Sequence, residues 1–426
     1  MNRRVVITGM GAVTPLAGNV ASTWKGLVEG RSGVGPITLF DASTFPTKIA
    51  GEVKELAAEK WKKRFGELLG RNSLFALQAA EEAVADARLD GRGDRTRIGI
   101  YFGAGDGGFD FAQYAAVIAA SMTEDGQSVS PAKYFKESLA RYRPEMISEQ
   151  EPFEVIDHLA AAFGAEGPVS NCLTACAASS QAIGEATELI RSGRADIMIA
   201  GGTHSMIHPL GLAGFNLLTA LSTRNEEPQK ASRPFEKNRD GFVLSEGAGV
   251  LILEEEEHAK KRGAKIYAEL AGYGISADAF RLTDPHEEGR GAIQAMRRAL
   301  SDSGLSLDQV GVINAHGTST PLNDRVETLA VKAVFGERAK NIPVHSVKSM
   351  LGHMIAAAGV VEIIAAALTI RDGVIPPTMN YETPDEACDL DYCPNQARRK
   401  TVDTVLSNSF GFGGQNVTLI VRRHVS

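Results

Sequence analysis

Short apolar runs closed by glycine recur along the chain, separated by longer stretches of helical period. Arg4-Val5-Val6-Ile7-Thr8 runs into Gly9-Met10-Gly11. Ile98-Gly99-Ile100-Tyr101-Phe102 runs into Gly103-Ala104-Gly105, and Ile197-Met198-Ile199-Ala200 into Gly201-Gly202. Runs bounded in this way read as buried strands. Residues 73–89 place Leu74, Leu77, Ala80, Val84 and Ala87 on one face and predict an amphipathic helix, followed by a polar turn at 90–94. Residues 176–191 have helical period and stop at Gly193.

The pattern then repeats. Gly241–Gly249 leads into a strand at Val250–Leu253, and a charged stretch at 254–263 marks a boundary. Beyond it come a strand at Lys265–Leu270, a helix at 290–303 and a strand at Val310–Ile313 ending in Asn314-Ala315-His316-Gly317. A small-residue helix at 352–369 stands where the helix after Cys176 stands in the first half. The expectation is an α/β protein of two similar halves, 1–258 and 259–426. Residues 106–165 do not fit the repeat. They are aromatic and mixed in charge, and read as helical pieces broken at Pro131 and Pro144.

Composition narrows the classes. The net charge is −7, from 45 basic and 52 acidic residues, with no long basic run, which argues against nucleic-acid binding. The longest apolar stretch, Met354–Ile370, contains Glu362 and keeps helical period, so it reads as a core helix and not as a membrane span. Arg3-Arg4 precedes an apolar run, but Gly9, Gly11 and Pro15 interrupt it, which suits a first strand and turn better than a signal peptide. Four cysteines, Cys172, Cys176, Cys388 and Cys393, suggest free thiols in a reducing compartment, and hence a cytoplasmic protein.

Cys176 is the first chemical signal. It sits among small residues at the expected start of a helix, where backbone N–H groups and the helix dipole favour a thiolate or a developing oxyanion. Such a cysteine is often only a small buried hydrophobe. Two further motifs change the balance: Asn314–Pro321, containing His316, and Lys348-Ser349-Met350-Leu351-Gly352-His353. Both histidines fall at strand-to-helix junctions, and in α/β folds such edges converge on one crevice. Asp324 and Glu327 have the spacing of a capping box. A buried Lys348 needs an acidic partner, for which Glu362 or Glu327 is available. Ser409-Phe410-Gly411-Phe412-Gly413-Gly414-Gln415-Asn416 is either a hairpin turn or a flap over an apolar pocket.

Other patterns compete less well. Gly103–Gly108 matches G-x-G-x-x-G, but it is not in the first βαβ unit and no clean helix follows. His204 and His208 have zinc spacing on a helix, but Pro209 adjoins them and no third ligand is evident. Cys172 and Cys176 lack a matching second pair. No cofactor and no metal are expected.

With Cys176, His316, Lys348, His353 and the 410–416 loop assembled, the sequence resembles the elongating β-ketoacyl-acyl carrier protein synthases of type II, condensing enzymes of the thiolase superfamily. The resemblance covers nearly the whole chain and includes Thr174-Ala175-Cys176, Ala220–Asn225, Ser232-Arg233-Pro234-Phe235 and Arg239-Asp240-Gly241-Phe242. It implies a thiolase-like five-layered αβαβα fold, a homodimer, and acyl carrier protein as partner in acyl and malonyl forms. By resemblance Cys176 is the nucleophile and His316 and His353 assist decarboxylation. Lys348 is a fixed cation paired with Glu362 and Glu327, with Asp324 in support. The N–H groups of Cys176 and Phe412 form the oxyanion hole. Thr318 and Thr320 hold the pantetheine arm, and Phe215 and Phe412 border the substrate.

The chain departs from the family pattern at a long 106–150 segment, at Asn216-Leu217-Leu218-Thr219 in place of a basic residue, and at Arg281 in place of a common histidine. These departures suggest a specialised, polyketide-type carrier or pathway. A chain-length-factor-like partner subunit would lack the nucleophile, which is present here. A degradative thiolase would need a second cysteine in the 410–416 loop, which has none, and Cys388 and Cys393 lie upstream of it.

Overall fold

The computed structural model describes residues 3–89, 94–105 and 110–425. The expected turn at 90–93 and residues 106–109 of the glycine stretch lie outside the described residues. Ten strands form one continuous sheet: β1 (Val5–Val13), β2 (Ile98–Ala104), β3 (Val169–Cys172), β4 (Ile197–His204), β5 (Gly247–Glu255), β6 (Ala268–Ala277), β7 (Val312–Asn314), β8 (Val344–His345), β9 (Thr404–Gly411) and β10 (Gln415–Arg422). Their spatial order is β8-β7-β9-β10-β6-β1-β5-β4-β2-β3. Read inward from each end, the two halves have the same order, β3-β2-β4-β5-β1 and β8-β7-β9-β10-β6. The parallel and antiparallel pairings match as well. Within the sheet, among the described residues, the two half-sheets pair only through Val6 with Glu269 and Ile7 with Ala268.

Five helices complete the layers: α1 (Arg71–Asp86), α2 (Ala178–Arg191), α3 (Arg290–Ser303), α4 (Pro321–Phe335) and α5 (Ala358–Asp372). The strand alternation sorts side chains between them. In β5, Val250 and Ile252 pack with α1 in an outer core, whereas Leu251 and Leu253 pack with α2 and α5 in the central one. In β10, Val417, Leu419 and Val421 face the central core, and Ile420 faces Met296 and Ala299 of α3. The result is the αβαβα sandwich that the resemblance implied. Every residue of Ala358–Ile370 is buried, as an all-round apolar helix between two sheets must be. Among the described residues no helix is long and apolar enough to cross a membrane.

Two features differ from the sequence-based expectation. The first strand does not end at Gly9 but runs through Gly9 and Gly11 to Val13. These glycines are not turn signals. Each makes room for the backbone of α1, and an added Cβ would collide with the carbonyl oxygen of Ala83 at Gly9 and of Ala79 at Gly11. In the 106–165 segment, Pro131 and Pro144 begin helices (Pro131–Arg141 and Pro144–Ser148) instead of breaking them, and Pro152 begins a third, Pro152–Phe163. Proline at the first helical position loses no hydrogen bond and has its φ already set. Val155, Ile156 and Leu159 of this segment pack into the core beneath α1.

Gly11→Ala is expected to destabilise the fold by about 1–3 kcal/mol, because a methyl group is forced into a packed strand–helix contact. Urea denaturation should show a lower midpoint with an unchanged slope.

Candidate active site

The local backbone at Cys176 is an elbow. β3 ends at Cys172, Ala175–Ala177 make a single tight turn, and α2 begins at Ala178. Ala175 has φ +47°, a conformation that costs a residue with a Cβ about 1–3 kcal/mol. The same elbow occurs in the second half. Ile355–Ala357 make the turn, α5 begins at Ala358, and Ile355 has φ +42°. Ala177 (φ −92°, ψ −3°) and Ala357 (φ −91°, ψ −8°) close the two turns almost identically. Cys176 therefore corresponds to Ala356, and one copy of the elbow carries a thiol.

The sulfur of Cys176 and one nitrogen each of His316 and His353 lie within 4.8 Å of one another. The two imidazoles meet edge to face at 5.3 Å. All three residues are buried, Cys176 with 4% of its surface exposed. A cavity of about 280 Å³ opens onto them, lined also by Thr318, Thr320, Phe242 and Phe412.

Hydrogen-bond partners fix the tautomers. The Ile355 N–H donates to His353 Nδ1 (3.3 Å), and the Lys348 ammonium, which has no lone pair, donates to His316 Nδ1 (3.4 Å). In a neutral ring the proton is then on Nε2. Burial, followed by the positive charge of Lys348, holds both imidazoles well below their ordinary pKa, so both are neutral near pH 7. His353 Nε2 is buried and has no protein partner. The site thus presents imidazole N–H donors beside a thiol. With its Nδ1 lone pair engaged, neither ring has a free lone pair for a metal ion, so the donor set does not suit one.

Lys348 forms a buried ion pair with Glu362. Burial pushes the Glu362 carboxyl up to about 7 against the pull of the lysine. Glu327 is not Lys348's partner. Its carboxylate accepts the N–H groups of His316 and Gly317 (both 2.8 Å) and the side chain of Asn408 (3.1 Å). Nor do Asp324 and Glu327 form a capping box. Helix α4 starts at Pro321, with no side-chain cap at Thr320. Asp324 accepts the Thr318 N–H (3.0 Å) and the Phe235 N–H (2.8 Å). The two acids hold the His316 loop by its backbone, because a buried loop must have its N–H groups satisfied.

The 410–416 stretch is the hairpin turn between β9 and β10, with Gly413 and Gly414 at φ +85° and +73°. Gly411 packs on the nucleophile elbow, and a Cβ there would lie 2.8 Å from the Thr174 carbonyl oxygen. The backbone N–H groups of Phe412 and Cys176 both favour the thiolate form of Cys176, against the larger effect of burial.

Residues 2–259 match the β-ketoacyl synthase N-terminal domain and residues 267–382 the C-terminal domain. A Synechocystis sp. protein named 3-oxoacyl-[acyl-carrier-protein] synthase 2 is 45% identical over 99% of this chain and 98% of its own. A Coxiella burnetii protein of the same name is 44% identical over 99% of each. The chain belongs to the β-ketoacyl synthase family. It is an elongating condensing enzyme, an acyltransferase. Among solved structures, it overlays with TM-score 0.89 and 38% identity, over all of both chains, on the ketosynthase of a complex titled "AntDE:AntF (apo): type II PKS acyl-carrier protein in complex with its ketosynthase bound to the hexaketide". The ishigamide ketosynthase/chain length factor gives 0.86 at 34% identity, covering all of both chains.

In this synthase Thr318 and Thr320 share a hydrogen bond (2.9 Å) and both line the cavity. Phe215 stands one ring back. It packs on Phe242 (5.4 Å), which packs on His353 (5.3 Å), within an apolar cluster that includes Cys176, Leu212 and Ile355. His204 ends β4 and His208 caps the next helix by accepting the Gly211 N–H, so the two do not share a helix face. Sequence reasoning missed Ile355, Phe242 and Arg239. Arg239 binds Asp385 (2.6 Å) and lies 3.5 Å from Asp324, tying the Arg239–Phe242 motif to the His316 loop. Only the strained φ of Ile355 marks its role, and no sequence pattern shows that.

The helix-start position did not lower the Cys176 pKa as expected. Burial pushes the thiol up to about 11, outweighing the pull of the Phe412 N–H and of Lys348. The rate of iodoacetamide alkylation of Cys176 should therefore climb about tenfold per pH unit from pH 7 toward 11. A plateau already reached below pH 8, read by mass spectrometry of the Cys176 peptide, would contradict this.

Proposed function

We propose that the enzyme transfers an acyl group from acyl carrier protein to Cys176 and condenses it with malonyl-acyl carrier protein, giving a β-ketoacyl-carrier product two carbons longer. The observation that carries this assignment is the pair of neutral, Nε2-protonated histidines beside a buried cysteine. In the first stage the Cys176 sulfur attacks the thioester carbonyl, and the N–H groups of Cys176 and Phe412 receive the oxyanion. The carrier thiol leaves with the proton that Cys176 gives up. In the second stage malonyl thioester loses CO₂. The electron pair left behind forms an enolate whose oxygen accepts hydrogen bonds from His316 and His353. The enolate carbon attacks the acyl-cysteine, the C–S bond to Cys176 breaks, and the thiolate takes up a proton. Lys348 is a positioning residue that holds the His316 tautomer, and Thr318 and Thr320 steady the pantetheine arm.

Three further readings belong with this one. A homodimer fits the open sheet edge at β3, where Val169 and Leu173 are exposed, and the helix Pro131–Arg141, which exposes Phe135 and Leu139. A cytoplasmic location fits four cysteines that are all free thiols. A polyketide-type pathway is favoured by the long 106–150 segment.

Incubation with acyl-carrier proteins of graded chain length should give a covalent adduct by intact mass, absent in Cys176→Ala. His353→Ala should still load the acyl group but release CO₂ from malonyl-carrier at least ~100-fold more slowly. Failure of every chain length to load a folded enzyme would overturn the assignment. For the dimer, Leu173→Lys should shift the sedimenting species toward monomer, and an unchanged dimer would count against the β3 edge as its seam.

A further inference from the structure

The two most exposed large apolar side chains among the described residues are Leu282 (86%) and Leu217 (85%). Each adjoins the cavity lining: Leu217 precedes Leu218 and Thr219, and Leu282 precedes Thr283. Leu217 ends the helix Pro209–Leu217, whose outer face carries Leu210, Gly214 and Leu217 at helical spacing, all exposed. A Cβ at Gly214 would meet nothing within 4 Å, so another backbone can approach there. No Asp, Glu, Lys or Arg occurs between Asp196 and Arg224. Among the described residues three aspartates, Asp240, Asp278 and Asp284, and no lysine or arginine line the cavity. Arg281 pairs with Asp284 (3.2 Å), and Arg224 lies 3.7 Å from Asp240.

We infer that the Leu210–Gly214–Leu217 stripe, together with Leu282, is the seat of the carrier protein, which docks by apolar contact and not by charge. The inference rests on the synthase reading above. A carrier that feeds its arm into this cavity must rest its body on the cavity's rim, and the rim offers leucine and glycine beside a lining without lysine or arginine. The occupant is then a carrier that presents an apolar helix beside its phosphopantetheine-bearing serine. Docking of this kind depends weakly on ionic strength, because few unpaired charges are brought together. It would also discriminate against carriers whose docking helix is uniformly acidic, since among the described residues the cavity is lined by Asp240, Asp278 and Asp284 and by no lysine or arginine.

The test compares two acyl donors, an acyl-carrier protein and the acyl-N-acetylcysteamine thioester, which has no carrier body. Leu217→Asp should raise KM for the acyl-carrier about 10-fold while leaving Cys176 acylation by the small thioester unchanged. Leu217→Met should restore the wild-type KM, and Leu282→Asp should act as Leu217→Asp does. For the wild type, KM for the carrier should change less than about 2-fold between roughly 0.05 and 0.5 M NaCl. An unchanged carrier KM in Leu217→Asp, or a wild-type KM rising steeply with salt, would overturn the inference. So would loss of dimer in Leu217→Asp at unchanged KM, which would assign the stripe to a second copy of the chain. Absence of acylation by both donors in the wild type would instead overturn the synthase reading on which the inference stands.

Discussion

At its tightest points the contact between α2 and α5 has no room for anything larger than serine. An added Cβ at Gly359 would collide with the Ser180 hydroxyl, and one at Gly202 would lie 2.7 Å from the Ala356 carbonyl oxygen and from Ser179. Ser179 accepts the Val360 N–H (3.0 Å), and Ser180 and Ser409 share a hydrogen bond (2.8 Å). Two half-sheets press these helices together, so the helix starts meet under the cavity. Each start is an elbow, and each elbow delivers one reacting group: Cys176 from the first half, and His353 from just before the second. The active site exists because the two halves share one crowded middle layer.

Electrostatics in this layer are governed by burial. Lys348 and Glu362 are both nearly inaccessible, and removing either alone would strand a buried charge at a cost of about 3–5 kcal/mol. What the pair contributes to chemistry is a direction. An ammonium can only donate, so it sets which nitrogen of His316 carries the hydrogen. Burial acts on the other groups in the same sense, favouring neutral forms. It keeps both histidines uncharged and Cys176 a thiol until substrate arrives. A neutral imidazole N–H is the better partner for an enolate that forms only in the transition state, since it does not attract the malonyl carboxylate in the ground state.

The sequence carried most of the fold because the strands are near-continuous apolar runs and the repeat is visible in their spacing. It misled where glycine has two meanings. Gly9 and Gly11 look like the end of β1 yet lie inside it, since close approach to α1 and a tight turn call for the same residue. Pro131 and Pro144 failed similarly, because proline both ends and begins helices. In the site, Cys176, His316, His353 and the Lys348–Glu362 pair were legible: a charged residue in an otherwise apolar helix requires a partner. The partner of Glu327 was not. Its carboxylate binds backbone N–H groups of a loop eleven residues back, and backbone donors leave no trace in side-chain identity. The capping-box spacing of Asp324 and Glu327 was likewise consistent with two local structures, and the tertiary demand of the His316 loop decided between them.

The strain at Ile355 needs its own account, since the second elbow carries no nucleophile. A β-branched residue at positive φ is costly, and Ala356 performs no chemistry that would retain it. The Ile355 N–H, however, is the donor that fixes the His353 tautomer. The first elbow uses its turn to present a thiol, whereas the second uses its turn to orient an imidazole. The residues upstream diverged to match. His353 stands three residues before Ala356, and Leu173 stands three before Cys176. In the outer copy that position is exposed at the β3 edge, away from the cavity lining. One backbone device, present twice, is thus divided between presenting a thiol and placing a hydrogen bond, and the strain in both copies follows from the geometry they share.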